Sequence, residues 1–146
     1  MKFARPNYNE ELYNSSQLKR LAKKTAVRIL EELELRDAET VVVTGKSGIA
    51  MGFAALCFAD FNLVTVRKDA ETSHGGPVEG RLRQPENERY IILDDFIDTG
   101  ATIERIIKKM EIGYKEDEPK PKCVGVLKYA CTDKSKSFQG ITLLRV

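Results

Sequence analysis

The chain has 146 residues, room for one hydrophobic core and little else, and its 24 Lys and Arg against 22 Asp and Glu leave a formal net charge of +2. That balance argues neither for nor against nucleic acid, and no basic tract calls for one, so no nucleic-acid partner is expected. No apolar run approaches the length of a membrane span and the stretch MKFARPNYNEEL has no apolar signal-peptide core, so a cytoplasmic protein with no membrane partner is expected. Cys57, Cys123 and Cys131 are odd in number and show no metal-ligand spacing; Cys57 falls in an apolar helix and Cys123 in a strand, where core positions explain them.

In chain order, Asn14 or Ser15 can cap a helix from about Ser16 to Leu35, with Leu18, Leu21, Thr25, Ile29 and Leu33 on one face. Thr40 to Thr44 (TVVVT) is a β-branched run too apolar for a half-exposed strand and reads as a central parallel strand. Ile49 to Phe61 reads as a helix apolar nearly all round, and Leu63 to Val66 as the next strand. Ala70 to Glu88 is polar, holds Gly75, Gly76, Pro77, Gly80 and Pro85, shows no period, and reads as a long loop able to close as a lid. After the strand and helix discussed next come a charged turn, Lys115 to Lys122, a strand Cys123 to Leu127, and a fifth strand Ile141 to Val146. Strands alternating with helices predict an α/β fold: a central parallel sheet flanked by helices, Rossmann-like, with ligands at the carboxyl ends of the strands. One domain over 1–146 is expected, with a helical segment at 1–39 and the α/β core at 40–146.

The most informative stretch is Tyr90 to Ile103, YIILDDFIDTGATI. Tyr90, Ile91, Ile92 and Leu93 form a buried strand; Asp94 and Asp95 sit where it ends. A turn with Asp98, Thr99, Gly100, Ala101 and Thr102 then opens an amphipathic helix, Ile103 to Met110. Carboxylates accept hydrogen bonds from vicinal hydroxyls, and backbone N–H groups at a positive helix end hold a phosphate dianion. A helix cap explains one Asp or Thr here. It does not explain Asp-Asp, Asp98 and Thr-Gly-x-Thr together.

DDFIDTGAT resembles the phosphoribosyl-pyrophosphate (PRPP) signature of the type I phosphoribosyltransferases. The likeness runs roughly from Val41 to Ala130 and is sharp at this motif. It implies a type I phosphoribosyltransferase-like core with a small or minimal hood, and transfer of ribose 5-phosphate from PRPP to a nucleobase with release of pyrophosphate. It further implies Mg²⁺ as cofactor and a homodimer. On this resemblance Thr99 to Thr102 bind the 5-phosphate, Asp94 and Asp95 hold the ribose hydroxyls or the metal, and Asp98 accepts a proton from the incoming base.

Three further segments should reach the same crevice. Thr44-Gly45-Lys46-Ser47-Gly48 follows the first strand; it is neither a Walker A loop nor a dinucleotide GxGxxG. In the family the equivalent turn cradles pyrophosphate, a role that falls on Gly45, Lys46, Ser47 and Gly48, and a non-proline cis peptide at or beside Gly45–Lys46 is expected. Arg67-Lys68-Asp69 ends the second strand and leads to Ser73-His74-Gly75-Gly76. Adjacent cations at a strand end suit an anion, with bidentate recognition available to Arg67. This segment resembles the mobile loop of orotate phosphoribosyltransferases, with Glu71 where a second lysine is expected and His74 one residue late. Lys68 and His74 are thus catalytic candidates, His74 standing open between that role and an exposed loop residue. Finally, Lys128 with Tyr129 or Phe138 resembles the base-reading set of 6-oxopurine phosphoribosyltransferases, against the alternative of a solvated lysine after a strand.

The reaction so implied needs positioning and electrostatic compensation more than covalent chemistry. The competing class is a PRPP- or nucleotide-binding regulatory or degenerate homologue without transfer, favoured by Glu71 and the short chain; an intact Asp94, Asp95 and Asp98 favour the enzyme. A PRPP synthase-like diphosphokinase fits less well, since one such domain lacks the paired halves and ATP elements.

Overall fold

A computed structural model describes residues 14–68, 76–83, 87–130 and 136–146. Helix α1, Ser15–Leu35, starts where Asn14 Oδ1 accepts from the N–H groups of Ser16 and Gln17, both at 3.2 Å. Its face of Ala22, Thr25, Ala26, Ile29 and Leu33 is buried, the 3.6-residue period expected of it. Strand β1, Thr40–Thr44, is buried at all five positions, as a central strand must be. Helix α2 spans Gly45–Leu56, β2 Asn62–Val66 and β3 Val78–Glu79. Strand β4 is Arg89–Asp94, helix α3 Ala101–Met110, β5 Lys122–Lys128, β6 Ser137–Phe138 and β7 Ile141–Arg145.

The strands form one sheet in the order β3-β2-β1-β4-β5-β7-β6. Neighbours from β2 through β7 run parallel, and the two-residue strands β3 and β6 add antiparallel edges. Alternating side chains of the central strands feed two cores. Val41, Val43, Ile91 and Leu93 pack with Ala26, Ile29, Met51 and Ala55 of α1 and α2. Val42, Ile92 and Val126 pack with Ile103, Ile106 and Met110 of α3 on the other face. Each such aliphatic side chain contributes about 1.5–3 kcal/mol by leaving water, so the sheet is fixed between its helices. The chain steps outward from β1 to β2 and then returns to place β4 on the other side of β1. Their carboxyl ends therefore diverge into a crevice.

Three expectations shift. Helix α2 begins at Gly45, not Ile49, so the expected turn is the helix's own first turn. Within the segment read as a loop, Val78–Glu79 pairs with β2 (Thr65 opposite Glu79, Val66 opposite Val78), and Arg67 N–H donates to Pro77 O at 2.9 Å. Two residues are too few to show a period. No peptide bond of the described residues is cis; Gly45 turns the chain instead with φ 65, a left-handed conformation open to glycine at no steric cost.

Candidate active site

Thr44 ends β1 with its hydroxyl donating to Val66 O at 2.7 Å, so it caps no helix. The first turn of α2 is left without a side-chain cap. A side chain on Gly45 would meet Lys68 Cε at 3.1 Å and Nζ at 3.3 Å, which places the Lys68 ammonium directly over that turn. At the end of β4 the same device recurs. Gly100, φ 83, precedes α3, which also has no side-chain cap; Thr99 Oγ1 accepts only a long 3.3 Å bond from Ala101 N–H. Gly100 is also pinned from behind, since a Cβ there would collide with the Phe138 ring. Two helix N-termini whose N-cap residues supply no side-chain cap, each the positive end of a helix dipole, face one space.

That space is a cavity of about 470 Å³, within the range of small-molecule sites. Thr44 to Ser47 and Ala50 wall one side, Asp94 to Ile103 the other, with Lys68 and Arg105 between. Asp94 and Asp95 are 8% and 6% exposed, so they are not the costless surface pair a strand end suggests. Asp94 Oδ1 accepts from Asp95 N–H at 2.9 Å, and Asp95 Oδ1 from Phe96 N–H at 2.8 Å. Their carbonyls accept from Tyr129 and Ala130 N–H at 3.1 and 3.0 Å, anchoring the strand end to the chain after β5. Burial first, then the Asp95 carboxylate, push the Asp94 carboxyl up to about 7; the Asp95 N–H and the Arg105 guanidinium pull the other way. Two close carboxylates with few cations are primed for a cation or for hydroxyl donors. No cluster of three or more His, Cys, Asp or Glu exists among the described residues, so a divalent ion here would take most of its ligands from substrate oxygens and water, as Mg²⁺ does.

The structure brings Lys46, Ser47, Lys68, Asp94, Asp95, Asp98, Thr99, Gly100, Ala101 and Thr102 to the cavity. Gly48 is buried outside it, against Leu93 O, and serves helix packing. Arg67 is turned away into an ion pair with Glu79 of β3, because the hairpin that β3 makes with β2 puts that carboxylate within reach. The base-reading set is not at the cavity wall. Lys128 is 1% exposed, on the same sheet face as Val126 and next to Asp94 in register. The Tyr129 ring is buried in the core with α1 and α2. Phe138 lies on Gly100. Asp69, Glu71, Ser73, His74 and Gly75 lie outside the described residues.

Arg105 was not anticipated. Arg105 lines the cavity, and its Nε has no hydrogen-bond partner among the described residues. Its spacing, one turn after Ala101, was the available signal.

No family model matches the sequence. An HGPRTase-like protein of Halobacterium salinarum is 30% identical over 105 residues, 62% of this chain and 54% of that protein. The chain thus spans about half the length of the curated relatives it matches. Orotate phosphoribosyltransferase of Francisella tularensis superposes with TM-score 0.60 at 19% identity, over 80% of this chain and 53% of that one. Adenine phosphoribosyltransferase of Trypanosoma brucei, in complex with AMP, pyrophosphate and ribose 5-phosphate, superposes with TM-score 0.61 at 14% identity, over 92% of this chain and 65% of that one.

Proposed function

We propose that this chain, which has the type I phosphoribosyltransferase fold of those neighbours, binds PRPP in the cavity and transfers its phosphoribosyl group to a nucleobase. The observation that carries the reading is the pair of uncapped helix N-termini facing one cavity floored by Asp94 and Asp95. Two anionic ends joined by a polyol fit that arrangement, and PRPP is such a molecule.

In this reading the Thr99–Thr102 turn and the α3 N-terminus hold the 5-phosphate, its oxygens accepting from backbone N–H groups of which only that of Ala101 has a side-chain partner, the long bond to Thr99 Oγ1. Asp94 and Asp95 accept from the ribose hydroxyls. The α2 N-terminus with Lys46 and Lys68 faces the pyrophosphate. The bond from ribose C1 to the pyrophosphate oxygen breaks with its electron pair leaving on pyrophosphate, and a nitrogen lone pair of the base forms the new C1–N bond. Asp98, exposed at the cavity mouth, is placed to take the proton the base nitrogen sheds. Mg²⁺, held through Asp94 and Asp95 and the substrate's own oxygens, would neutralise charge on the leaving group. The rest of the work is orientation and compensation of charge by fixed dipoles.

A second reading, a nucleotide-binding homologue without transfer, draws support from Glu71 standing where the resembled loop carries lysine. Pyrophosphate release from PRPP and Mg²⁺, measured with adenine, hypoxanthine, guanine, orotate and uracil in turn, separates them. Release dependent on one base supports transfer; PRPP binding with no release for any base supports the second reading.

A further inference from the structure

The cavity's cationic side chains among the described residues are Lys46, Lys68 and Arg105. The lysines are point charges on flexible stems; Arg105 is a planar fork rooted in the first turns of α3. One helical turn further along, Lys109 donates to Arg67 O at the end of β2. Residues four apart share a helix face, so Arg105 lies on the stripe turned toward the ends of β1 and β2. That is the side of the cavity walled by Thr44, Gly45 and Lys68, across from the Thr99–Thr102 turn. Its Nε is buried and makes no hydrogen bond to any described residue. An unpaired guanidinium donor in a closed position costs about 1–3 kcal/mol or more unless something accepts from it. Neither aspartate accepts from that Nε, and the guanidinium exerts only the smallest of the pulls on Asp94.

We propose that Arg105 is a substrate-contacting residue that takes the pyrophosphate end of PRPP in a bidentate grip, rather than the 5-phosphate end. The proposal rests on the phosphoribosyl-transfer reading and assigns within it which anion this side chain serves. Pyrophosphate offers adjacent oxygens at the spacing of a guanidinium fork, and its negative charge grows as the C1–O bond breaks. Arg105 then acts on both ground-state binding and leaving-group stabilisation, whereas a residue of the 5-phosphate site would act on binding alone.

Calorimetric titrations of the full chain with pyrophosphate plus Mg²⁺ and, separately, with ribose 5-phosphate test it, using the wild type, Arg105→Met and Arg105→Lys. Thermal unfolding establishes that each variant is folded. For Arg105→Met the expected result is pyrophosphate affinity reduced at least tenfold with ribose 5-phosphate affinity within twofold of wild type. Arg105→Lys should recover only part of the loss, because an ammonium restores charge without the fork; if Met at this position does not fold, the Lys variant alone still must show the selective loss. A loss of ribose 5-phosphate affinity with pyrophosphate binding intact, or equal losses of both, overturns the proposal and leaves the transfer reading standing. A wild type that binds neither ligand overturns the transfer reading and this one with it.

Discussion

At the end of the sheet where the strands begin, buried charge is matched; at the end where they finish, it is not. Glu88, 2% exposed, accepts from the Thr40 hydroxyl, which itself accepts from Asn62 Nδ2 at 2.8 Å. Glu32, equally buried on α1, is clasped by Arg28 at 2.7 Å and Arg36 at 2.9 Å, and Arg36 goes on to Val124 O. Asp94 and Asp95 at the other end hold backbone N–H groups and form no ion pair among the described residues, and Arg105 lies near them with an Nε donor that no described residue accepts. Helix ends repeat the contrast: α1 is capped by Asn14, while α2 and α3, which open on the cavity, have no side-chain cap. The matched end contributes stability. The unmatched end stores unmet electrostatic demand that a ligand can meet, the pattern expected where local rules are broken for function.

The largest effect expected is on the unmatched end. Asp94→Asn with Asp95→Asn should weaken PRPP–Mg²⁺ binding by about a hundredfold or more, about 3 kcal/mol from lost charge-assisted hydrogen bonds. Calorimetry giving an unchanged dissociation constant would sink the ribose assignment and with it the functional half of the contrast. Because both carboxylates hold backbone N–H groups, local loosening after Leu93 should accompany the loss, visible in amide exchange of Asp95 and Phe96.

At the matched end, Glu32→Gln should lower stability by about 2 kcal/mol, since Arg36 loses its charge partner and Arg28 keeps only the exposed Glu31; the figure sits below that for fully buried pairs because both arginines are partly exposed. Denaturant midpoints measure it. PRPP affinity should not move; a change would mean that the two ends of the sheet are energetically coupled.

Gly100→Ala should cost about 1–2 kcal/mol, from the left-handed backbone and the Phe138 ring, and should weaken ribose 5-phosphate binding through the displaced turn. A variant as stable as wild type would show that Phe138 gives way without cost.

The smallest effect has the opposite sign. The Asp94 pKa is raised from 3.8 to about 7 in the folded chain, so between those values the folded state binds more protons than the unfolded state. Stability is then lost as pH rises through that window. In metal-free protein, Asp94→Asn should therefore raise stability at pH 8 and change it little near pH 4, where wild-type Asp94 is protonated in the folded chain. Thermal melts at the two pH values decide it; a variant less stable than wild type at pH 8 would mean the carboxylate is already paid for by partners, like Glu32.

Much of this was legible from the sequence because the information is local. TVVVT and YIILDD carry their burial in composition, the α1 face carries it in period, and DDFIDTGAT carries the turn, the acids and the helix start within nine residues. What failed was non-local. Arg67 looks like a ligand for an anion until β3 brings Glu79 beside it. Lys128 looks solvated or base-facing until β4 and the second core bury it beside Asp94. Phe138 looks like a stacking ring until the β6–β7 hairpin sets it on Gly100. Arg105 passes unnoticed until α3 packs beside the strand ends and brings it to the cavity.

By itself the sequence determined the α/β class, the parallel sheet and the acidic, glycine-containing turn after β4, since backbone preference and hydrophobic period act between near neighbours. Tertiary structure decided which charges face the cavity and which are spent on the fold. That choice depends on strand order and helix packing, which set distances and burial for residues far apart in the chain, and electrostatic pairing depends on both.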